Sequence, residues 1–170
     1  MQGVSAYMIK QATAENYNDI VRIYNQAVIT GVQTADEKIV SVKEKLSWLE
    51  LHTGEHYIIY VGIINSNVVG YLALSPYRHG RSAFLKTAEI SFYVDSEYQR
   101  KGIGKKLIEH AISQCSDLNI DALVAILLSC NIASIAILKT FNFEKWGTMP
   151  NIAKLKSGNF DHLYYGINLV

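Results

Sequence analysis

Proline, cysteine and long apolar runs are all scarce in this chain. Two prolines in 170 residues, with no repeats and no low-complexity tract, leave no stretch that reads as a linker between domains. Two cysteines, Cys115 and Cys130, make neither a disulfide framework nor a C-x-x-C pair, which points to a reducing, cytoplasmic setting. Apolar residues reach 49%, yet no run approaches the length of a membrane span. A formal net charge of +1 supplies no general attraction to nucleic acid. The five histidines (His52, His56, His79, His110 and His162) share no metal-ligand spacing, so no metal site is expected. The opening MQGVSAY lacks the basic segment and apolar core of a signal peptide. Residues 1–7 are expected to form a loose extension, and residues 8–170 a single domain able to bury a core without disulfides or metals.

What is present is a run of well-patterned elements. Met8 to Ala12 reads as a short strand. Thr13 is an N-cap candidate for a helix with Tyr17, Ile20, Val21, Tyr24, Ala27 and Val28 in one apolar stripe. Ser41 with Glu44 three residues on reads as a capping box opening a second helix, with Leu46 and Leu49 inward. The β-rich runs Tyr57 to Ile64 and Val68 to Leu74, joined by Asn65-Ser66-Asn67, predict an antiparallel hairpin. Ile90, Phe92 and Val94 alternate with Ser91, Tyr93 and Asp95, a strand with one buried face. Leu107, Ile108, Ala111, Ile112 and Cys115 then line one side of a helix. Ala122 to Leu128 is a continuous apolar run, expected of a strand buried on both faces. Asn131 and Ser134 open a helix through Phe141, Phe143 to Met149 begins a β segment, and a last strand runs from about Phe160 to Leu169. The predicted order, β-α-α-β-β-β-α-β-α-β-β, is a mixed α/β fold.

Between the central strand and its helix lies Gln99-Arg100-Lys101-Gly102-Ile103-Gly104-Lys105. Two closely spaced glycines allow the backbone near a ligand, the unpaired N–H groups of the helix start point outward, and Arg100, Lys101, Lys105 and Lys106 add positive charge. This is the make of a diphosphate seat. A P-loop needs G-x-x-x-x-G-K-[ST], but Gly102 and Gly104 are too close and Leu107 follows Lys106. A dinucleotide fingerprint needs a third glycine where Leu107 stands. The pattern [QR]-x-x-G-x-[GA] fits Gln99-x-x-Gly102-x-Gly104. An ordinary strand-to-helix turn with a basic, solvated rim is the plain alternative.

That last pattern resembles the acetyl-CoA pyrophosphate loop of the GNAT acetyltransferases. Further stretches resemble one branch of that family, the phosphinothricin and methionine sulfoximine acetyltransferases. Ile23-Tyr24-Asn25-Gln26-Ala27-Val28 is similar to I-Y-N-x-A-V, and Glu44-Lys45-Leu46-Ser47-Trp48 to E-R-x-x-W. Val69-Gly70-Tyr71 matches V-G-Y, Arg81 to Glu89 is similar to R-x-A-Y-R-H-T-V-E, Asn131-x-x-Ser134-Ile135 to N-x-x-S-I, and Lys156 to Phe160 more loosely to K-x-G-x-W. The resemblance spans essentially the whole chain. It implies the GNAT acyl-CoA N-acyltransferase fold, a central mixed, mostly antiparallel sheet flanked by helices.

Amine acetylation requires an oriented thioester, deprotonation of an ammonium and stabilisation of a developing oxyanion. Glu89 is the candidate base: apolar neighbours would raise its pKa, and the resemblance places the catalytic carboxylate there. Its alternative is a strand-edge carboxylate paired with Arg81 or Lys86. By the same resemblance, the backbone of Phe92, Tyr93 and Val94 would meet the pantetheine arm, with the Val94 N–H as oxyanion donor. Arg100, Lys101, Gly102, Ile103, Gly104 and Lys105 would cradle the pyrophosphate. Asn131 would hydrogen-bond the CoA arm, cap a helix, or both. Arg81 is either the ligand of a substrate carboxylate or a solvated loop arginine, and Phe84 would close the amino-acid pocket. Four positions depart from the branch. Leu138 stands where a general acid is common, Ala35 replaces the Phe of T-F-D-T, Leu85-Lys86 replaces R-H, and His162 falls about where an Asp is usual.

The expectation is an acetyl-CoA-dependent N-acetyltransferase acting in a ternary complex on the amine of a small amino acid or analogue. It would be a cytoplasmic homodimer by resemblance, with no metal, nucleic-acid or membrane partner. The alternatives are a GNAT enzyme for another amine (a polyamine, a peptide N-terminus or an antibiotic) or a catalytically silent acetyl-CoA sensor.

Overall fold

A computed structural model describes residues 7–170. Its elements follow the predicted order: β1 (Tyr7–Gln11), α1 (Tyr17–Thr30), α2 (Val42–Glu50), β2 (Ile58–Ile64), β3 (Asn67–Pro76), β4 (Thr87–Val94), α3 (Ile103–Gln114), β5 (Ala122–Leu128), α4 (Ile132–Lys139), β6 (Glu144–Leu155) and β7 (Gly158–Asn168). The strands form a seven-stranded sheet in the order β1-β2-β3-β4-β5-β7-β6. Only β4 and β5 pair in parallel; every other pairing is antiparallel.

Both faces of the sheet are covered. Ile58 and Tyr60 of β2 pack in one apolar cluster with Leu107 and Ile108 of α3, whereas Ile59 and Val61 pack in another with Ile20 and Ile23 of α1 and Leu49 of α2. The side-chain period of two distributes one strand between two cores. Leu107 and Ile108 are fully buried, each contributing about 1.5–3 kcal/mol by burial.

Local signals set the boundaries. Thr13 precedes a single 3-10 turn, Ala14–Asn16, and its backbone N–H donates to Asn16 Oδ1 at 3.0 Å before α1 begins. Ser41 and Glu44 form the expected capping box: Glu44 N donates to Ser41 Oγ at 3.3 Å and Ser41 N to Glu44 Oε2 at 2.7 Å. In the β2–β3 turn, Asn65 and Ser66 both have positive φ, the geometry of a two-residue hairpin.

Three expectations need correction, and one strand runs on beyond the residues that open it. Tyr7, assigned to a loose extension, belongs to β1 and pairs with Ile64; residues 1–6 of that extension lie outside the described residues. Leu46 is 38% exposed, because the inward stripe of α2 and its following turn is Lys45, Trp48, Leu49 and His52, at helical spacing of three and four. The β4 face bearing Glu89, Ser91 and Tyr93 is covered by α1 and α2 rather than facing solvent. The segment after Phe143 continues to Leu155, past Pro150. A register irregularity between Met149 and Ala153 absorbs the proline, and Asn151 N donates to Asp161 Oδ1 at 2.9 Å.

Candidate active site

The parallel contact of β4 with β5 is short: Thr87, Ala88 and Glu89 face Ala122, Leu123 and Val124, and no register pairing follows beyond them. From Ile90 onward one edge of β4 is therefore open. Asp95 N donates to Val69 O at 3.0 Å, so ladder alternation directs the backbone of Tyr93 toward Tyr71 of β3. The N–H and C=O of Phe92 and Val94 then point to the open edge. Of the three backbones expected to meet an extended ligand, those of Phe92 and Val94 face the open edge, where Val94 O accepts from Gln99 Nε2 at 3.4 Å, and that of Tyr93 faces β3.

The open edge is one wall of a groove of about 500 Å³. Its floor is the loop into α3. Gly102 caps α3 with φ +79°, the left-handed region where a side chain is strained. This turns the free N–H groups of Ile103, Gly104 and Lys105 toward the groove, which they line with Arg100 and Gln99. Lys101 does not line it: its Nζ donates to Glu97 O at 2.9 Å and lies 4.9 Å from the Tyr98 ring. Lys106 lies over the Tyr7 ring on another face. The positive rim is thus Arg100 and Lys105, half of what the composition of the loop suggested.

The opposite wall is α4. Asn131 caps it, accepting from Ser134 N at 3.2 Å as the capping reading expects, and also lines the groove. Its amide nitrogen makes no hydrogen bond among the described residues. Ala133, Ser134 and Ile137 face the groove. Leu138 does not: it is 1% exposed in the core, so the residue that the resemblance sets at a general-acid position lies outside the groove wall. Sequence reasoning missed Gln33, Tyr98 and Ile137 as wall residues, and only the helical spacing from Asn131 through Ser134 to Ile137 signals one of them.

At the inner end of β4 lies a second, smaller cavity of about 170 Å³, adjoining the groove through Tyr93, which lines both. Glu89 and Ser91 come from β4, Tyr71 from β3, Tyr24 from α1, and Lys45 and Trp48 from α2. Glu89 pairs with neither Arg81 nor Lys86; Lys86 instead binds Asp121 at 3.1 Å. Among the described residues Glu89 has no hydrogen-bond or ion-pair partner, and burial raises its pKa. Tyr93 rings lie 5.3 Å from both Tyr24 and Tyr71. Burial, with the Glu89 charge nearby, pushes the Tyr93 hydroxyl up, and burial together with Asp36 pushes Tyr24 up to about 12. These phenols remain neutral donors at physiological pH.

Arg81 and Phe84 do not line this cavity. Arg81 is exposed and precedes the single 3-10 turn Ser82–Phe84; Phe84 is 40% exposed and packs edge-on against Tyr77 at 5.5 Å. Ala35 is also exposed; its neighbours Thr34 and Asp36 hold the Tyr24 hydroxyl, Thr34 at 2.9 Å. Cys130, beside Asn131, sits 3.8 Å from Val32 O, and Cys115 is a core thiol raised by burial to about 11. The described residues hold no cluster of three or more metal-ligating groups.

The described residues thus form a long groove, edged by the Phe92 and Val94 backbone and a basic helix N-terminus, that adjoins a cavity with an unpaired carboxylate. The acetyltransferase (GNAT) family pattern matches residues 17–143, and the chain belongs to that family. It is similar to the L-amino acid N-acyltransferase of Escherichia coli and the L-methionine sulfoximine/L-methionine sulfone acetyltransferase of Salmonella typhimurium. Each is 30% identical over 133 residues, 78% of this chain and 77% of the relative. Among solved structures it resembles the phosphinothricin acetyltransferase of Sinorhizobium meliloti in complex with acetyl-CoA, at TM-score 0.89 and 27% identity, covering 95% of this chain and 88% of that one. The chain is an N-acetyltransferase with the GNAT fold.

Proposed function

We propose that this enzyme uses acetyl-CoA to acetylate the α-amine of a small amino acid or amino-acid analogue, by direct transfer within a ternary complex. The observation that carries the reading is the unpaired, half-buried Glu89 carboxylate in a small aromatic cavity adjoining the groove. The groove residues suit acetyl-CoA: N–H groups at the α3 start and the Arg100 and Lys105 cations for the diphosphate, Phe92 and Val94 backbone groups and the Asn131 amide for the pantetheine arm. Lys101, whose ammonium donates to Glu97 O, is left out of this set. When bound, acetyl-CoA supplies a thioester carbonyl that is already electrophilic.

The chain's own residues do the rest. In the cavity Glu89 would take the ammonium proton of a small amine directly or through water, and the Val94 N–H, directed to the open edge, would donate to the developing oxyanion. No acidic side chain of α4 faces the groove, so the coenzyme would leave as a thiolate or be protonated by water. Relatives named for L-amino acids and methionine sulfoximine favour an α-amino acid acceptor. The exposed apolar residues Trp146, Met149 and Ile152 on the edge strand β6 support a homodimer, and the two free thiols fit a reducing cytoplasm.

The test is thiol release from acetyl-CoA against phosphinothricin, methionine sulfoximine, proteinogenic amino acids, polyamines and short peptides. Turnover with amino acids or the two analogues is expected. Turnover confined to polyamines or peptides would refute the acceptor class and keep the mechanism. A monomer in sedimentation at working concentration would refute the dimer.

A further inference from the structure

The acceptor cavity holds two opposite charges that do not satisfy each other. Glu89 is unpaired, as above. Lys45 lines the same cavity, is its single cationic wall residue among those described, and its ammonium makes no hydrogen bond among the described residues. Its Nζ stands 4.0 Å from the centroid of the Tyr24 ring and 5.5 Å from that of Trp48. Aromatic faces fix the ammonium in place without neutralising it or using its three N–H donors. Its anionic neighbour, Asp36, is 3.9 Å away and already accepts the Tyr24 hydroxyl. Lys45 is only 25% exposed, and desolvation lowers its pKa, with Asp36 offsetting part of that effect. The cation is held in place, partly stripped of water and short of acceptors.

A free α-amino acid supplies what both groups lack, an ammonium for the carboxylate and a carboxylate for the ammonium. We infer that Lys45 is the residue that binds the α-carboxylate of the acceptor, orienting its amine toward Glu89 from the other side of the cavity. This deepens, and rests on, the amino-acid reading above, and it moves the carboxylate ligand from the exposed Arg81 to α2. The packing assigns Lys45 to its place: the Ser41–Glu44 capping box fixes the start of α2, and the buried His52 anchors its end, one ring nitrogen 2.7 Å from Trp48 O and the other 2.8 Å from Ser75 Oγ. Lys45 therefore selects amino acids over amines that lack a carboxylate.

The experiment compares L-methionine sulfone with its carboxamide, which keeps the shape and the amine but loses the charge. Wild type, Lys45→Met, Lys45→Gln, Lys45→Arg and Arg81→Ala are assayed by thiol release, with melting temperatures to confirm folding. Lys45→Met and Lys45→Gln are expected to raise KM for the acid by about tenfold to a hundredfold, as for loss of a charged hydrogen bond. The kcat, the KM for acetyl-CoA and turnover of the carboxamide should stay close to wild type, since uniform binding alone has been removed. Lys45→Arg should restore most of the loss. Equal effects on acid and carboxamide, or an acid-selective loss in Arg81→Ala but not at Lys45, would overturn the assignment while leaving the amino-acid reading in place. Absence of wild-type turnover on any amino acid would overturn both.

Discussion

The groove and the acceptor cavity meet at Tyr93 but are built from different material. The groove is largely backbone: an open strand edge at Phe92 and Val94, the N–H groups at the head of α3, and a helix cap. The cavity is side chain throughout, with Glu89, Tyr93, Tyr71, Tyr24, Lys45 and Trp48 arriving from four elements. A backbone site recognises a constant partner and tolerates substitution along its walls. A side-chain site recognises a variable partner and is altered by single changes. The mutational profile should divide along that line.

The largest expected effect lies in the cavity. Glu89→Gln should lower kcat by about 10²–10⁴-fold, the usual worth of a general base, while acetyl-CoA affinity in a direct titration stays unchanged. A variant that keeps wild-type turnover would remove Glu89 as base. Because burial raises the Glu89 pKa, kcat/KM of the wild type should fall as pH drops through a value above the ordinary carboxylate range. The linked stability has a definite sign. Between the ordinary and the raised pKa the folded protein holds a proton that the unfolded chain has released, so stability falls as pH rises through that window. Glu89→Gln should therefore melt higher than wild type at neutral pH, and the gain should vanish below the ordinary carboxylate range, as scanning calorimetry at two pH values would show.

Next in size is a change to the groove's backbone. Gly102→Val forces a β-branched residue to φ +79°, although no atom crowds the added Cβ. The cost is conformational, roughly 1–2 kcal/mol in urea denaturation, and misaimed N–H groups should weaken acetyl-CoA binding by about tenfold or more. A loss of stability with intact affinity would show that the diphosphate is held by Arg100 and Lys105 rather than by the loop. Smaller again, Tyr24→Phe deletes the hydroxyl that bonds Thr34 and Asp36 and frees the loop behind Lys45. It should raise the acceptor KM by up to about tenfold and leave the acetyl-CoA KM alone.

The same division explains what could be read from the sequence. Strand alternation, helix stripes and the two glycines after Gln99 are local, so the order of eleven elements and the groove's strand and loop were legible before any coordinates. The cavity was legible only at Glu89, because it forms where alternate residues of β4 meet faces of α1 and α2 that are forty or more positions away in the chain. Lys45 and Trp48 entered only through the likeness of Glu44 to Trp48 to E-R-x-x-W, with no site role attached. Arg81 looked like a ligand because guanidinium suits carboxylates, yet its loop carries it away from the cavity. Lys101 and Lys106 counted as charge at the loop, but the α-helical turn and a nearby carbonyl send both elsewhere.

The smallest expected effect is the sharpest test of a backbone-built groove. Ser134 faces the groove, but it is its backbone that bonds Asn131: its N–H donates to Asn131 Oδ1 and thereby fixes the start of α4. Ser134→Ala keeps that N–H and removes only the hydroxyl. If the groove binds through main-chain groups and the Asn131 amide, the KM for acetyl-CoA should change by less than about threefold, within the range of one exposed neutral hydrogen bond. Asn131→Ala, which removes both the cap and the amide, should cost about 1 kcal/mol of stability and weaken acetyl-CoA more than Ser134→Ala does. Should Ser134→Ala prove the more damaging of the two, the hydroxyl itself would be a cofactor ligand. The groove would then be a side-chain site like its neighbour, and the contrast between the two regions would fail.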